Sequence, residues 1–285
     1  MEKIILTTES GSDVPQAMAD ELGIHIIPMH VILGEKSYPD RTIPVSECFN
    51  FYKSTRKMPT TSAVNPQEYA TFFLNLRNEN PDADIIHIAY SSKASSTYQH
   101  AKIALDDLKD RHIYLIDSET VSSGIALLLW KSAQVIREAV DGAQAVEMIR
   151  GLIRRERVSF LPDTLEYLRA GGRVSNAAYL GTSLLRLKVL INMVDGQLVA
   201  SKKYRGDMDK VSFQYLDDFV NTHKPDREAI ILFFADGFSM PLLERLKERC
   251  VQMGFEKVFT AELGCVIACH GGPGVMGLGA FAGES

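Results

Sequence analysis

The chain has 285 residues, 46% of them hydrophobic, and a formal net charge of −5. That length and apolar content suit one large α/β domain or two smaller ones and exclude a disordered chain. The acidic balance argues against a nucleic-acid partner, and no run of 18 apolar residues marks a membrane span.

The apolar start, Ile4-Ile5-Leu6, is too short for the core of a signal peptide and no cleavage site follows it, so a cytoplasmic location is expected. The cysteines, Cys48, Cys250, Cys265 and Cys269, are scattered through a chain with enough core of its own, so its stability does not call for disulfides.

Ile4-Ile5-Leu6 reads as a buried strand running into a polar turn, Thr7 to Asp13. A helix follows, with Pro15 in its first turn and Ala17, Met18 and Leu22 on its apolar side. Ile24 to Leu33 reads as extended chain, broken or held at an edge by Pro28. Ser46 and Glu47 start a helix carrying Cys48, Phe49 and Tyr52, which leads to a turn at Pro59-Thr60-Thr61-Ser62-Ala63. Asn65 caps the next helix and Pro66 takes its first position, while Tyr69, Phe72, Phe73 and Leu76 recur at helical spacing. Ile85 to Tyr90 is a strand, Ser91 to Thr97 a polar turn, and Ala101, Ala104 and Leu105 mark a helix. Ile113 to Ile116 is a strand ending at Asp117-Ser118, and helices follow from about Ser122 to Arg137 and from Gly142 to Arg155. Strand, polar turn and helix in repetition predict a mostly parallel sheet, whose ligands bind beyond the carboxyl ends of the strands.

The second half changes character. Val158 to Leu161 is a short strand, and Asp163 to Leu168 a short helix closed by Gly171-Gly172-Arg173. Asp195-Gly196 between the extended runs Lys188–Val194 and Gln197–Ala200 predicts a hairpin. Met208–Val220 and Ser239–Val251 read as helices; Ala229–Phe234, Val258–Thr260 and Cys265–Cys269 read as strands. The fold expected is α/β: an N-terminal three-layer α/β/α domain over residues 1–155 and a mixed α+β domain over residues 156–285.

Three polar clusters invite a ligand. Thr60-Thr61-Ser62 either caps a helix or donates to an anion. In Ser91-Ser92-Lys93-Ala94-Ser95-Ser96-Thr97, capping accounts for one or two hydroxyls and leaves several for a ligand. His270, followed by Gly271-Gly272-Pro273-Gly274, is either a hydrogen-bonded turn residue or a donor to an anion at a strand end. Two motifs fail on context. Gly272 to Gly277 matches G-x-G-x-x-G, but only eight residues follow, too few for a nucleotide fold. Cys265, Cys269 and His270 lack a fourth ligand, so no metal site is expected. A serine-dependent acyl-ester hydrolase has its residue types in the serines, His270 and acids such as Asp13 and Asp117, but no G-x-S-x-G elbow occurs. A binding module for another anionic lipid or a phosphorylated small molecule is the third reading.

Taken together these pieces resemble the DegV family of bacterial fatty-acid-binding proteins. The matching segments are Thr7 to Pro15 (with Glu9 where aspartate is usual), Thr61-Ser62, Ser91 to Gln99 (with Ser96 where glycine is usual), Asp117-Ser118, Leu165 to Arg173, and His270 to Gly274. The resemblance implies a non-catalytic protein that needs no cofactor and holds one long-chain fatty acid. Its carboxylate would meet Thr61, Ser62, Ser95 and His270, with Ser92, Ser96, Gly271 and Gly272 as supporting positions. The resemblance further implies a partner, the catalytic subunit of a fatty-acid kinase, with acyl phosphate passing to phospholipid synthesis. Arg205 and Arg173 are the candidates for that partner interface.

Overall fold

A computed structural model describes residues 4–176 and 187–283; Met1 to Lys3 of the opening stretch lie outside it. In chain order the first half contains β1 (Ile4–Glu9), α1 (Gln16–Leu22), β2 (His25–Ile27), β3 (His30–Leu33), β4 (Lys36–Pro39), α2 (Val45–Thr55), β5 (Thr60–Ser62), α3 (Pro66–Glu79), β6 (Asp84–Ala89), α4 (Thr97–Leu108), β7 (Ile113–Asp117), α5 (Ser123–Val135) and α6 (Gly142–Ile153). The second half contains β8 (Glu156–Leu161), α7 (Glu166–Gly171), β9 (Leu187–Val194), β10 (Gln197–Arg205), α8 (Met208–His223), β11 (Pro225–Phe234), α9 (Met240–Gln252), β12 (Lys257–Glu262), α10 (Cys265–Gly271) and β13 (Met276–Ala282).

The first sheet is wholly parallel, in the order β2-β1-β6-β7. Its strands are apolar on both faces because both are covered. Ile5 and Ile85 pack with Tyr69 and Phe73 of α3 and Ala101 of α4, while Leu6, Ile86 and Ile88 pack with Met18 of α1 and Leu128 of α5. This is the expected three-layer arrangement. Pro28 ends β2, which is an edge strand. Asn65 caps α3 in a capping box with Glu68, and Pro66 holds the first position.

The second sheet is mixed, in the order β10-β9-β8-β13-β11-β12. One face carries Leu161, Ile230, Leu232 and Leu278 against Tyr215 and Phe219 of α8 and Leu246 of α9. The other face, with Phe160, Ile191, Ile231 and Phe233, joins the core that also holds α5. Ten of the thirteen residues of α5 are buried. A helix apolar all round is one enclosed on every side, and α5 packs against both sheets.

Three local expectations are corrected. Cys265 to Cys269 is helix, not strand. A five-residue apolar run has no periodicity that separates the two. Gly264 and Val266 give their N–H groups to the carboxylates of Asp13 and Asp40, which start a helix there. His270 therefore lies in the last turn of a helix rather than at a strand end. Pro59 to Ala63 is more than a turn, because Thr60–Ser62 pairs antiparallel with β3. Finally, Gly277 sits inside β13, a strand the sequence reading missed. A Cβ at Gly277 would lie 2.1 Å from the Phe233 ring, so the glycine makes room for an aromatic on the next strand. Among the described residues no helix is long and apolar enough to cross a membrane.

Candidate functional site

β5, the loop after β6, the start of α4, and α10 meet at the mouth of a cavity of about 270 Å³. Pairing of β5 with β3 places Thr61 opposite Val31 and Ser62 opposite His30. Strand alternation turns Thr61 away from exposed Thr60, and Ser62, at the end of the strand, donates its hydroxyl to the Ala63 carbonyl at 3.3 Å. Thr61 Oγ1 comes to 2.8 Å from His270 Nε2. Ser62, Ser95, Ser96 and Arg173 line the same cavity; Thr60 does not.

Backbone bonds hold the serine loop. Ser95 N–H donates to the Ser91 carbonyl at 3.1 Å, and Ser95 Oγ accepts the Thr97 N–H at 3.3 Å. Ser92 does not line the cavity, and its backbone N–H donates to Asp117 Oδ1 at 3.2 Å. The loop is also gripped from the second sheet. Ser91 Oγ donates to the Gly196 carbonyl at 2.7 Å and Lys93 Nζ to the Asp195 carbonyl at 2.6 Å. Asp195 and Gly196 form the tip of the β9–β10 hairpin, both with positive φ.

His270 is partly buried, and burial pushes its pKa down to about 4, with Arg173 adding to the effect. The ring is therefore neutral at pH 7. Its Nδ1 is buried and has no partner among the described residues. A Cβ on Gly171 would come within 2.5 Å of that atom, so the close approach of α7 to the ring requires glycine at 171. The tautomer decides where the unpaired donor lies: buried beside Gly171 or at the mouth. If Nε2 accepts from the Thr61 hydroxyl, Nδ1–H is free; if Nε2–H donates to Thr61, the threonine O–H is free.

The mouth adjoins an apolar slot of about 50 Å³ and shares Tyr90, Arg173, Ile267 and His270 with it. Its further walls include Val121, Phe160, Leu168, Leu198 and Phe233. Gly271 lines the slot, whereas Gly272 takes φ 81° beside Tyr167, ending α10. Arg205, at the end of β10, is exposed and lines neither space. A larger cleft of about 440 Å³ lies between β7, β8 and the β9–β10 hairpin, lined by Glu119, Arg154, Arg157 and Asp195 among others. It contains none of the hydroxyl-cluster or His270 side chains, and its charged walls set it apart from the slot.

Below the mouth lies a second polar group, completely buried. Glu9 Oε1 accepts from Tyr69 OH and lies 3.0 Å from His87 Nε2, and its Oε2 accepts the Tyr90 N–H at 3.0 Å. His87 Nδ1 is 2.8 Å from Thr7 Oγ1, and Tyr69 OH is 2.9 Å from Thr97 Oγ1. Burial pushes the Glu9 carboxyl up, but His87, Tyr69 and the Tyr90 N–H together hold it below its usual value. This network fixes the end of β6 and the start of α4, on either side of Ser95.

Sequence reasoning did not single out Tyr90, Val266 and Ile267 as wall residues. A helical reading of 265–271 would have found Ile267, three positions before His270 and thus on the same face.

The family model "Uncharacterised protein, DegV family" matches residues 3–283. A DegV domain-containing protein of Caldanaerobacter subterraneus subsp. tengcongensis is 30% identical over 284 residues, covering 98% of each chain. A fatty acid-binding protein of Thermotoga maritima is 29% identical, covering 97% of each. Among solved structures, a DegV family protein from Thermus thermophilus, described by its fatty acid binding, superimposes with a TM-score of 0.87 at 27% identity. That match covers 98% of this chain and 99% of the other. A match from residue 3 to residue 283, with relatives aligned end to end, leaves one assignment: the chain belongs to the DegV family.

Proposed function

We propose that the protein binds one long-chain fatty acid without covalent chemistry, its carboxylate in the mouth and its acyl chain entering the core through the apolar slot, which at about 50 Å³ must widen to take it. The observation that carries this reading is the adjacency of the two spaces: a mouth lined by hydroxyls and an imidazole borders an apolar slot, with Tyr90, Arg173, Ile267 and His270 common to both. Thr61, Ser62, Ser95 and His270 hold the carboxylate, and Arg173 at the rim supplies positive charge. Each buried CH₂ contributes about 0.8 kcal/mol, so the chain provides most of the affinity and the polar mouth sets its direction. The Thermotoga maritima and Thermus thermophilus proteins, both described by fatty acid binding, support this reading.

A hydrolase would need a base oriented by an acid. Among the described residues His270 Nε2 pairs with a threonine, and its Nδ1 has no partner. The finer part of the proposal is that the protein acts in the cytoplasm and presents the carboxylate to a fatty-acid kinase subunit for phospholipid synthesis. Arg205, exposed at the end of an edge strand, would contact that partner.

Native mass spectrometry of the purified protein should show one bound fatty acid. A protein that carries none, and that binds no member of a saturated and unsaturated panel, would sink the reading. Discovery of a phosphorylated ligand instead would replace it with the third reading above. Arg205→Ala should lower kinase-coupled turnover and leave fatty-acid binding intact; unchanged turnover counts against the partner assignment.

A further inference from the structure

Asp13 lies at 0% exposure where the two halves of the chain meet, in the left-handed region at φ 52°. Each of its oxygens serves a different wall of the proposed pocket. Oδ1 accepts the Gly264 N–H at 2.7 Å, at the start of α10, which carries Val266, Ile267 and His270. Oδ2 accepts the Ser122 hydroxyl at 2.5 Å, at the start of α5, where Val121 and Ser122 line the slot. Ser122 takes φ 51° and ψ −135°, a conformation that costs a non-glycine residue on the order of 1–3 kcal/mol. Its bond to Asp13 offsets part of that cost. Arg41 Nη2 stands 3.6 Å from Asp13 Oδ1, and the neighbouring Asp40 takes the Val266 N–H at 3.2 Å. A Cβ on Gly264 would meet Asp40 at 3.0 Å and Asp13 at 3.3 Å, so α10 is seated tightly on both carboxylates.

We infer that Asp13 is a positioning residue: it ties the α10 wall to the α5 wall and so fixes where His270 meets the ligand head group. This rests on the fatty-acid reading above. Burial pushes the Asp13 carboxyl up to about 7 against the pull of Arg41, as befits a group enclosed on all sides.

The test compares Asp13→Ala, Asp13→Asn and Ser122→Ala in the full-length protein, with oleate as the probe. Asp13→Ala should weaken oleate binding by about tenfold, the scale of one lost buried hydrogen bond. It should also shift the His270 ring ¹⁵N resonances. Asp13→Asn keeps an oxygen for Gly264 N–H and an amide for Ser122 Oγ, so it should recover most of the affinity and the wild-type resonances. Ser122→Ala, the milder change, should weaken binding by roughly threefold, and it decides the matter if Asp13→Ala does not fold. Wild-type affinity with unchanged His270 resonances in the variant that folds would overturn the inference. If the wild-type protein binds no oleate, the carrier reading falls separately and the His270 resonances alone decide the role of Asp13.

Discussion

Two of the histidines, His87 in the network below the mouth and His270 in the mouth's wall, are built to opposite specifications. His87 is completely buried, and both ring nitrogens have partners, Thr7 and Glu9. His270 is partly exposed, and only one of its nitrogens is engaged, by Thr61. A buried polar network that satisfies every member rigidifies its surroundings. At His270 the unpartnered nitrogen, Nδ1, is buried beside Gly171, while Nε2 and the Thr61 hydroxyl stand at the mouth of the proposed site. Bond completeness, rather than residue type, thus separates the buried histidine of the network from the histidine of the proposed site.

Removing Glu9 is the severest way to break this comparison. Glu9→Ala leaves His87 Nε2 and the Tyr90 N–H without a partner in the core and takes one of two partners from Tyr69 OH, so urea unfolding should show a loss of about 3–5 kcal/mol. A loss below about 1 kcal/mol would mean that the network is not structural.

Glu156 adds a pH signature on a second buried carboxyl. It is pushed up from 4.5 to about 8 by burial, which the Thr120 hydroxyl and Arg157 oppose. The folded protein therefore keeps a proton that the unfolded chain releases. That contribution is full below pH 4.5 and is lost as pH rises through about 8. Denaturation at about pH 5 and about pH 9 should show wild type losing on the order of a few kcal/mol relative to Glu156→Gln. Parallel curves for the two proteins would refute the assignment.

If the proposed site is right, His270 should behave differently. His270→Ala is expected to weaken fatty-acid binding about tenfold while changing unfolding stability by less than about 1 kcal/mol. A large stability loss with unchanged affinity would place His270 beside His87 as a structural residue. The smallest effect belongs to Thr60→Ala: Thr60 is exposed and outside the cavity, so dissociation constants should stay within about twofold. A larger change would redraw the mouth.

Much of the fold was legible in the sequence because local signals agreed. β1, β6 and β7 are contiguous apolar runs ending in polar turns, and Asp195-Gly196 is a pair suited to the positive φ of its hairpin. What escaped depended on distant partners. α10 is helical because Asp13 and Asp40, more than 200 positions away, accept its first N–H groups. β13 was hidden by Gly277 and Gly279, which read as loop residues until Phe233 and Ile231 are seen packed over them. The hydroxyl clusters drew attention in the sequence, but the pairing of Thr61 with His270 spans 209 positions and no local pattern encodes it. Glu9, where the family usually has aspartate, lies beneath the mouth, and its carboxylate reaches Tyr69, His87 and the Tyr90 N–H at once.

The grip of the β9–β10 hairpin on the serine loop bears on modularity. Ser91 and Lys93 are anchored by carbonyls of Gly196 and Asp195, and Thr61 by a histidine from α10. A fragment of residues 1–155 would keep every hydroxyl of the mouth and lose the groups that hold two of its segments, the serine loop and β5, in register. The complementary fragment would keep His270 and lose both carboxylates that seat its helix. Neither half is then expected to be a portable cassette: cut or transplanted alone, each would carry its side chains without the contacts that hold the proposed site together.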